Sequence, residues 1–373
     1  LKEVKVYTVL VAPLDWGLGH ATRCVPIIRA LHKQGYNVII AANHTQQKFF
    51  EIEFPDNKIV YLEGYNIQYA SGKTGTRLKL LSQLPSFRKS VKKEHKWLSD
   101  FAKSNPIDLI ISDNRYGLYH PSVPSVLITH QLNIITGNSL SENLIRKIHY
   151  GMIKPFTECW VPDLPGELNL AGRLSHPASM PSFPVKYIGL LSRWLENDIQ
   201  NKEPLYKCCI ILSGPEPQRT ILEQKVLNNI VNLPYKIILV RGLPSQQTPL
   251  SIPENVTCFN HLPGNDLIQK IMDSEIIISR GGYTTLMEMI GLQKKLILVP
   301  TPAQTEQEYL AAIWAQKHWA YTVDQDKFNL QESITQSEKL NYIFPDMDLE
   351  KNAGYLQSAI SNLTLIIKSK KGS

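Results

Sequence analysis

VYTVLVAPLDWGLGHATRCVPIIRALHKQGYNVIIAA, residues 6–42, is the stretch from which the fold is read. Its first segment, VYTVLVA (6–12), is short, rich in valine and apolar on both faces, as a parallel strand covered by helices should be. A glycine-bearing loop follows. ATRCVPIIRALHKQG (21–35) then sets Val25, Ile28 and Leu31 roughly on one helical face and closes on Gly35, after which NVIIAA (37–42) starts another strand. Strand, loop, helix and strand form the repeating unit of a doubly wound parallel sheet.

The same rhythm fills the chain. KIVYL (58–62), DLIISD (108–113) and SVLIT (125–129) supply further strands of a first sheet. A second set comprises CCIILS (208–213), KIILVRG (236–242), NVTCF (255–259), EIIISR (275–280), KLILVP (295–300) and WAYTV (319–323). Helix-like segments at 217–231, 264–272, 283–291 and 305–317 lie between them. The expectation is an α/β protein of two Rossmann-like domains, joined where VKYIGLLSRWLENDIQNKEPLY (185–206) loses its apolar periodicity. The boundaries fall at 1–185, a linker at 186–206, 207–345, and a final amphipathic helix within 346–373. At 373 residues and 43% hydrophobic content, two cores of ordinary size account for the length.

Composition narrows the setting. A formal charge of +7 suits acidic partners such as phosphates or anionic lipid. No nucleic-acid motif or dense basic stripe accompanies that charge, so a nucleic-acid partner is not expected. The cysteines Cys24, Cys159, Cys208, Cys209 and Cys258 are odd in number and form no C-x-x-C pair, which points to a reduced, cytoplasmic setting without a disulfide framework. The opening apolar run stops at Pro13 and Asp15 without a signal-peptide pattern, and no run reaches the length of a membrane span.

Open parallel sheets bind ligands beyond the carboxyl ends of their strands, so the loops there carry the functional reading. In LDWGLGHATR (14–23), Gly17 and Gly19 permit close backbone approach, and His20 and Arg23 open the helix. The pattern is not G-x-G-x-x-G, and no acidic residue closes the next strand, so a dinucleotide site is poorly supported. Asp113 ends an apolar strand at the same edge, where it either caps a turn or orients the His20 imidazole as a general base. THQLN (129–133) brings His130 and Gln131 to a neighbouring strand end. In SRGGYTTLMEM (279–289), Gly281 and Gly282 precede a helix start bearing Thr284 and Thr285, with Glu288 one turn on. That set suits a diphosphate on backbone amides and a ribose diol on a carboxylate, or an ordinary capped helix. Ser213 and Gly214, in ILSGPEPQR (211–219), are further phosphate donors.

SRGGYTTLMEMIGLQKKLILVPTPAQTEQEYLAA (279–312) resembles the donor-binding region of MurG-like glycosyltransferases, and the loop ending in His20 resembles the amino-terminal loop of the same GT-B superfamily. The resemblance covers both domains and the order of their motifs. It implies two facing Rossmann-like domains, with a UDP-sugar on the second and the acceptor on the first. A UDP-N-acetylhexosamine is one candidate donor. By the same resemblance, Glu288 binds the ribose hydroxyls, Thr285 and the Gly281/Gly282 backbone the diphosphate, and Gln307 the sugar hydroxyls, with Gln304 and Glu306 as alternatives. The helix in 346–373 is implied to cross back onto the first domain. Departures from the pattern are Leu132 within THQLN, Glu308 in place of a second glutamine, and Asp15-Trp16 before the glycine pair.

The chemistry expected is inverting sugar transfer to an acceptor hydroxyl, with His20 as base and Asp113 supporting it. Helix N-termini, Ser213 and Arg280 would meet the charge of the leaving diphosphate, without metal or cofactor. No run of His, Cys, Asp and Glu at metal-ligand spacing suggests a bound Mg²⁺ or Zn²⁺. Two basic amphipathic stretches, 77–97 and 143–156, suit either a peripheral contact with anionic lipid on the inner membrane face or helices with one solvated side. Two other readings remain. G-x-G-H-x-x-R also resembles UDP-sugar hydrolases, where water replaces the acceptor, and a catalytically silent sugar-nucleotide-binding subunit would keep Gly281 and Glu288.

Overall fold

The computed structural model describes residues 5–65, 84–135, 139–194, 203–231, 233–243 and 252–371. The chain divides into two compact units, with the break after Ser192 and with residues from Asp348 onward returning to the first.

In the first unit, β1 (Thr8–Pro13), β2 (Asn37–Ala42), β3 (Lys58–Tyr61), β4 (Leu109–Asp113), β5 (Ser125–Ile128), β6 (Glu158–Val161) and β7 (Val185–Tyr187) form one sheet. Their order is β3-β2-β1-β4-β5-β6-β7, and every pairing is parallel. Between strands run α1 (Gly19–Lys33), α2 (His44–Glu53), α3 (Leu84–Ser104) and α4 (Ser139–Ile153). β4 and β5 are buried at every position, which is why their sequences are continuous apolar runs rather than alternating ones.

In the second unit, β8 (Tyr206–Ile211), β9 (Ile237–Val240), β10 (Val256–Phe259), β11 (Ser274–Ser279), β12 (Lys295–Leu298) and β13 (Tyr321–Thr322) lie in the order β10-β9-β8-β11-β12-β13, again all parallel. Its helices are α5 (Gln218–Ile230), α6 (Gly264–Met272), α7 (Tyr283–Ile290), α8 (Thr305–Gln316) and α9 (Leu330–Lys339). Leu212, Leu222, Ile237, Ile278 and Ile297 belong to the core between sheet and helices.

The chain builds each sheet outward from its first strand and then returns to the other side of that strand. The reversals fall between β1 and β4 and between β8 and β11, and at such points the loops diverge and leave a crevice. Register fixes what meets there. Pro13 lies opposite Asp113, and Asp113 opposite Ile128, so the segments that follow these strands emerge side by side. Ser279 lies opposite both Ile211 and Leu298, which brings the loops at 212–214, 280–282 and 299–304 together in the same way.

Four elements differ from the sequence expectation. β6 and β7 were not foreseen, and β7 takes up Lys186 and Tyr187 from the start of the expected linker. Where 319–323 was expected, β13 holds only two residues, because Trp319 already bonds back to the Trp314 carbonyl at the end of α8. The basic stretch expected at 77–97 is α3 from Leu84 onward, and 77–83 lies outside the described residues.

α10 (Leu349–Ser361) and α11 (Leu363–Lys371) complete the first unit. Tyr36 and Thr364 share a hydrogen bond of 2.8 Å, and the Asn352 side chain brackets Leu190, accepting from its N–H at 2.7 Å and donating to its carbonyl at 3.2 Å. Gly189 makes this docking possible. Its φ is +75°, and a Cβ there would lie 2.7 Å from the Asn352 carbonyl oxygen. Gly189→Ala is therefore expected to cost at least about 2 kcal/mol, read in thermal denaturation as a fall of about 4 °C or more. An unchanged melting temperature would show that this docking does not limit stability.

Candidate active site

At the switch point of the first sheet, His20 Nδ1 lies 2.9 Å from Asp113 Oδ2. The pair comes from the first turn of α1 and the last residue of β4. Asp113 is fully buried, while the His20 side chain keeps 14% of its surface exposed. With Nδ1–H donating to the carboxylate, Nε2 carries the lone pair, and among the described residues it has no hydrogen-bond partner. Burial, joined by the Arg23 charge, holds the imidazole below its ordinary value against the opposing pull of Asp113. It is neutral at pH 7, as a general base must be.

Arg23 lies one turn along the same face of α1 and points inward. Its Nε donates to Asp113 Oδ2 at 2.9 Å, its Nη2 donates to Oδ1, and the guanidinium is almost wholly buried. Burial alone would raise the Asp113 carboxyl, but the charges of Arg23 and His20 and their hydrogen bonds outweigh it and hold the group at about 2. Arg23 Nη1 also reaches His130 Nδ1 at 3.5 Å. Asn114, at φ +55°, completes the bracket when its amide nitrogen faces Thr129 Oγ1 (2.9 Å) and its oxygen accepts from Arg23 Nη2 (3.3 Å). Gln131 bonds through its backbone N–H to the same Thr129 oxygen at 3.2 Å.

The loop before His20 is pinned on three sides. Gln46 Nε2 donates to the Leu14 carbonyl at 2.7 Å, Tyr65 N–H to Asp15 Oδ1 at 2.9 Å, and Gly17 N–H to the Asp15 carbonyl at 2.9 Å, with Gly17 at φ +75°. Tyr65 is held in turn by Glu94, which is ion-paired with buried Arg115 at 2.6 Å. Gly19 begins the helix, and Leu18 before it supplies no side-chain cap.

At the switch point of the second sheet, Gly281 and Gly282 lead into α7. A Cβ on Gly281 would crowd the Gln307 carbonyl at 3.3 Å, whereas one on Gly282 would meet nothing within 4 Å. The backbone is thus packed against α8 on one side and open at the helix start, where Gly282 provides no side-chain cap. Gly214 (φ +100°) and Ser213 are exposed beside it, and the Thr301 hydroxyl, buried without a hydrogen-bond partner, lies 3.7 Å from where a Gly214 Cβ would be.

Four of the other residues expected here, Glu288, Gln304, Gln307 and Arg280, are engaged with the protein itself. Glu288 Oε1 accepts from Arg193 Nε at 2.6 Å. Gln307 accepts from Thr301 N–H at 2.9 Å and donates to Gln304, so these two amides support the loop after β12. Arg280 faces inward at 1% exposure. Its guanidinium donates to the Val299 carbonyl at 3.1 Å, the Gln218 carbonyl at 2.7 Å and Gln325 Oε1 at 2.6 Å, and burial lowers it to about 10. That geometry makes Arg280 a brace between β11, α5 and the turn at 325–327 rather than a group facing a ligand.

Residues 218–354 match the glycosyltransferase family 28 C-terminal domain. The chain carries a glycosyltransferase domain. A Methanosarcina acetivorans protein named as an uncharacterized glycosyltransferase is 25% identical over 322 residues, covering 80% of each chain. Among solved structures, the kitacinnamycin glycotransferase superposes with a TM-score of 0.63 at 13% identity, over 98% of this chain and 99% of that one. Acinetobacter baumannii MurG gives 0.51 at 13%, over 98% and 100%. These likenesses show the GT-B fold. The family 28 match spans Glu288 and the segment from 304 to 307, while the His20–Asp113 pair of this glycosyltransferase lies outside it.

Two residues of the glycosyltransferase escape a motif reading. Arg193 belongs to no pattern, although Arg193-Trp194 is a cation beside an aromatic ring in an otherwise lapsing segment. Asn114 had a clearer signal, because an Asn directly after a strand-ending Asp is the residue most ready to take a left-handed backbone. His149 sits in the same unit. It is buried, bonded to the Tyr116 hydroxyl at 2.9 Å, and pushed down to about 4 by burial.

Proposed function

We propose that this glycosyltransferase moves a sugar from a UDP-sugar to an acceptor hydroxyl with inversion and without a metal ion. The observation that carries the reading is the His20–Asp113 pair at the switch point of the first sheet, with Nε2 facing away from the carboxylate. His20 Nε2 takes the acceptor proton, the acceptor oxygen forms a bond to the anomeric carbon, and the bond from that carbon to the diphosphate breaks. UDP leaves as an anion and His20 as imidazolium, which Asp113 stabilises. Direct displacement by a base-activated hydroxyl inverts the anomeric centre. The leaving charge falls to the open N-terminus of α7 and to Ser213, while Arg280 supports the loop from behind. Glu288 takes the ribose diol. Arg23 acts through Asp113 and does not touch substrate.

The acceptor side includes a surface suited to anionic lipid. No helix among the described residues is long and apolar enough to cross a membrane. α4 nevertheless exposes Leu144 (62%) and Ile148 (53%) beside Lys147, and α3 exposes Arg88, Lys89, Lys92, Lys93 and Lys96 while burying Glu94 and Leu98. A lipid-linked acceptor at the inner membrane face fits that combination.

The test is a coupled UDP-release assay over a panel of UDP-sugars, with and without membrane lipid extract and with free sugar measured in parallel. The expected result is release that depends on the extract, with the sugar transferred to an extract component. Equal release without extract, accompanied by free sugar, would instead make the chain a hydrolase. Absence of release with every donor would leave a sugar-nucleotide-binding subunit.

A further inference from the structure

The Glu288–Arg193 pair reaches beyond the general reading of the donor site. Glu288 is the sixth residue of α7, and Arg193 stands 95 residues earlier in the chain, yet the two side chains meet at 2.6 Å with only 9% and 7% of their surfaces exposed. Arg193 is itself fixed, because its guanidinium carbon stacks 4.6 Å from the Trp194 ring centroid and Trp194 is 2% exposed. The contact is one-sided. Nε engages Oε1, while Oε2 makes no hydrogen bond among the described residues.

A carboxylate oxygen has two lone-pair sites, so Oε1 can hold Arg193 and still accept a second donor, and Oε2 is available for another. A vicinal diol presents two hydroxyl donors to such a group. To receive both, the carboxylate must keep one rotation about its terminal bond, and that torsion is soft in a free glutamate. A planar cation stacked on an immobile indole holds it where a lysine would not.

We propose that Arg193 is a positioning residue that locks Glu288 in the rotation needed to read a ribose 2′,3′-diol, so that the donor is a ribonucleoside diphosphate sugar rather than a 2′-deoxyribonucleoside one. The inference rests on Glu288 being the ribose ligand. Arg193 acts on the 2′-hydroxyl through Glu288, and its loss changes the discrimination between the two sugars more than it changes binding of the diphosphate.

Calorimetric titration with UDP, GDP and ADP and with the 2′-deoxy counterpart of whichever binds most tightly measures this. For the wild type, the ribonucleotide should bind at least about tenfold more tightly than its deoxy counterpart, the scale of one hydrogen bond to a charged group. Glu288→Gln and Arg193→Met should each bring the ratio to within about threefold of unity. Arg193→Lys keeps the buried carboxylate compensated, guards against misfolding, and should lower the ratio at least about threefold. A ratio unchanged in Glu288→Gln would overturn the ribose role of Glu288 itself. A ratio lost in Glu288→Gln but kept in folded Arg193→Met, or in Arg193→Lys where the methionine variant does not fold, would overturn the positioning role alone. Equal weakening of both nucleotides in the Arg193 variants would also overturn it, because that is the mark of a direct phosphate contact. Failure of all three nucleotides to bind the wild type would sink both claims.

Discussion

His20→Ala should lower kcat by about 10²–10⁴-fold while leaving nucleotide affinity within about twofold, because the base acts only in the transition state. Steady-state kinetics and nucleotide titration on the same preparation separate the two quantities. The companion measurement is the pH profile of kcat/KM, which reports groups in the free enzyme. His20 must be neutral to work, so activity is lost as pH falls through its pKa. Burial and the Arg23 charge place that value below 6.5, so the acidic limb should lie below pH 6.5 with a plateau at neutrality. Asp113, held at about 2, stays ionised across the whole range and should contribute no limb of its own above about pH 3. A limb centred above pH 7, or one that persists unchanged in residual His20→Ala activity, would remove His20 from the mechanism.

Asp113→Asn carries the second large effect, and it has two parts. The carboxylate fixes the Nδ1–H tautomer and stabilises the imidazolium, so its loss should lower kcat by about 10³–10⁴-fold, the scale known for the acid of a catalytic triad. It also removes the charge partner of Arg23, which is 2% exposed and donates two hydrogen bonds to this one carboxylate. Breaking a buried ion pair from one side costs about 3–5 kcal/mol, so the variant should also unfold at lower denaturant concentration. The double variant Asp113→Asn with Arg23→Met removes both charges. It should regain much of the stability and almost none of the turnover. Recovery of turnover together with stability would mean that Asp113 only holds the fold.

Much of this architecture was readable because the protein buries its central strands on both faces. VLVA in β1, LIISD in β4 and CCII in β8 admit few other readings, and helix periodicity between them fixes a parallel sheet. β6 and β7 were not readable for the opposite reason. They are four and three residues long, begin or alternate with Glu158 and Lys186, and gain their strand character from pairing with neighbours rather than from local pattern. His20 and Asp113 could be paired from sequence across 93 residues because each closes or follows a strand at the same sheet edge. The direction in which a side chain points after a strand ends has no such rule. Arg280 next to the glycine pair reads as a ligand for phosphate and turns into the core, while Arg193 in a patternless stretch turns toward Glu288. Local sequence does not decide which of the two arginines is consumed as a brace; the packing of distant segments does.

The return of α10 and α11 to the first unit also orders how the protein is made. Residues from Asp348 onward leave the ribosome after the whole of the second unit, yet they cover α1 and bracket Leu190 in the first. The sheet of the second unit lies wholly between Arg193 and Met347 and can be finished as soon as that stretch emerges. The first unit is synthesised earlier and completed later, with the Gly189–Leu190 segment and the α1 surface left open until then. Nascent chains stopped before Asn352 should therefore hold a protease-resistant second unit beside a first unit that is still cleavable, an inversion of the usual order in which amino-terminal domains mature first.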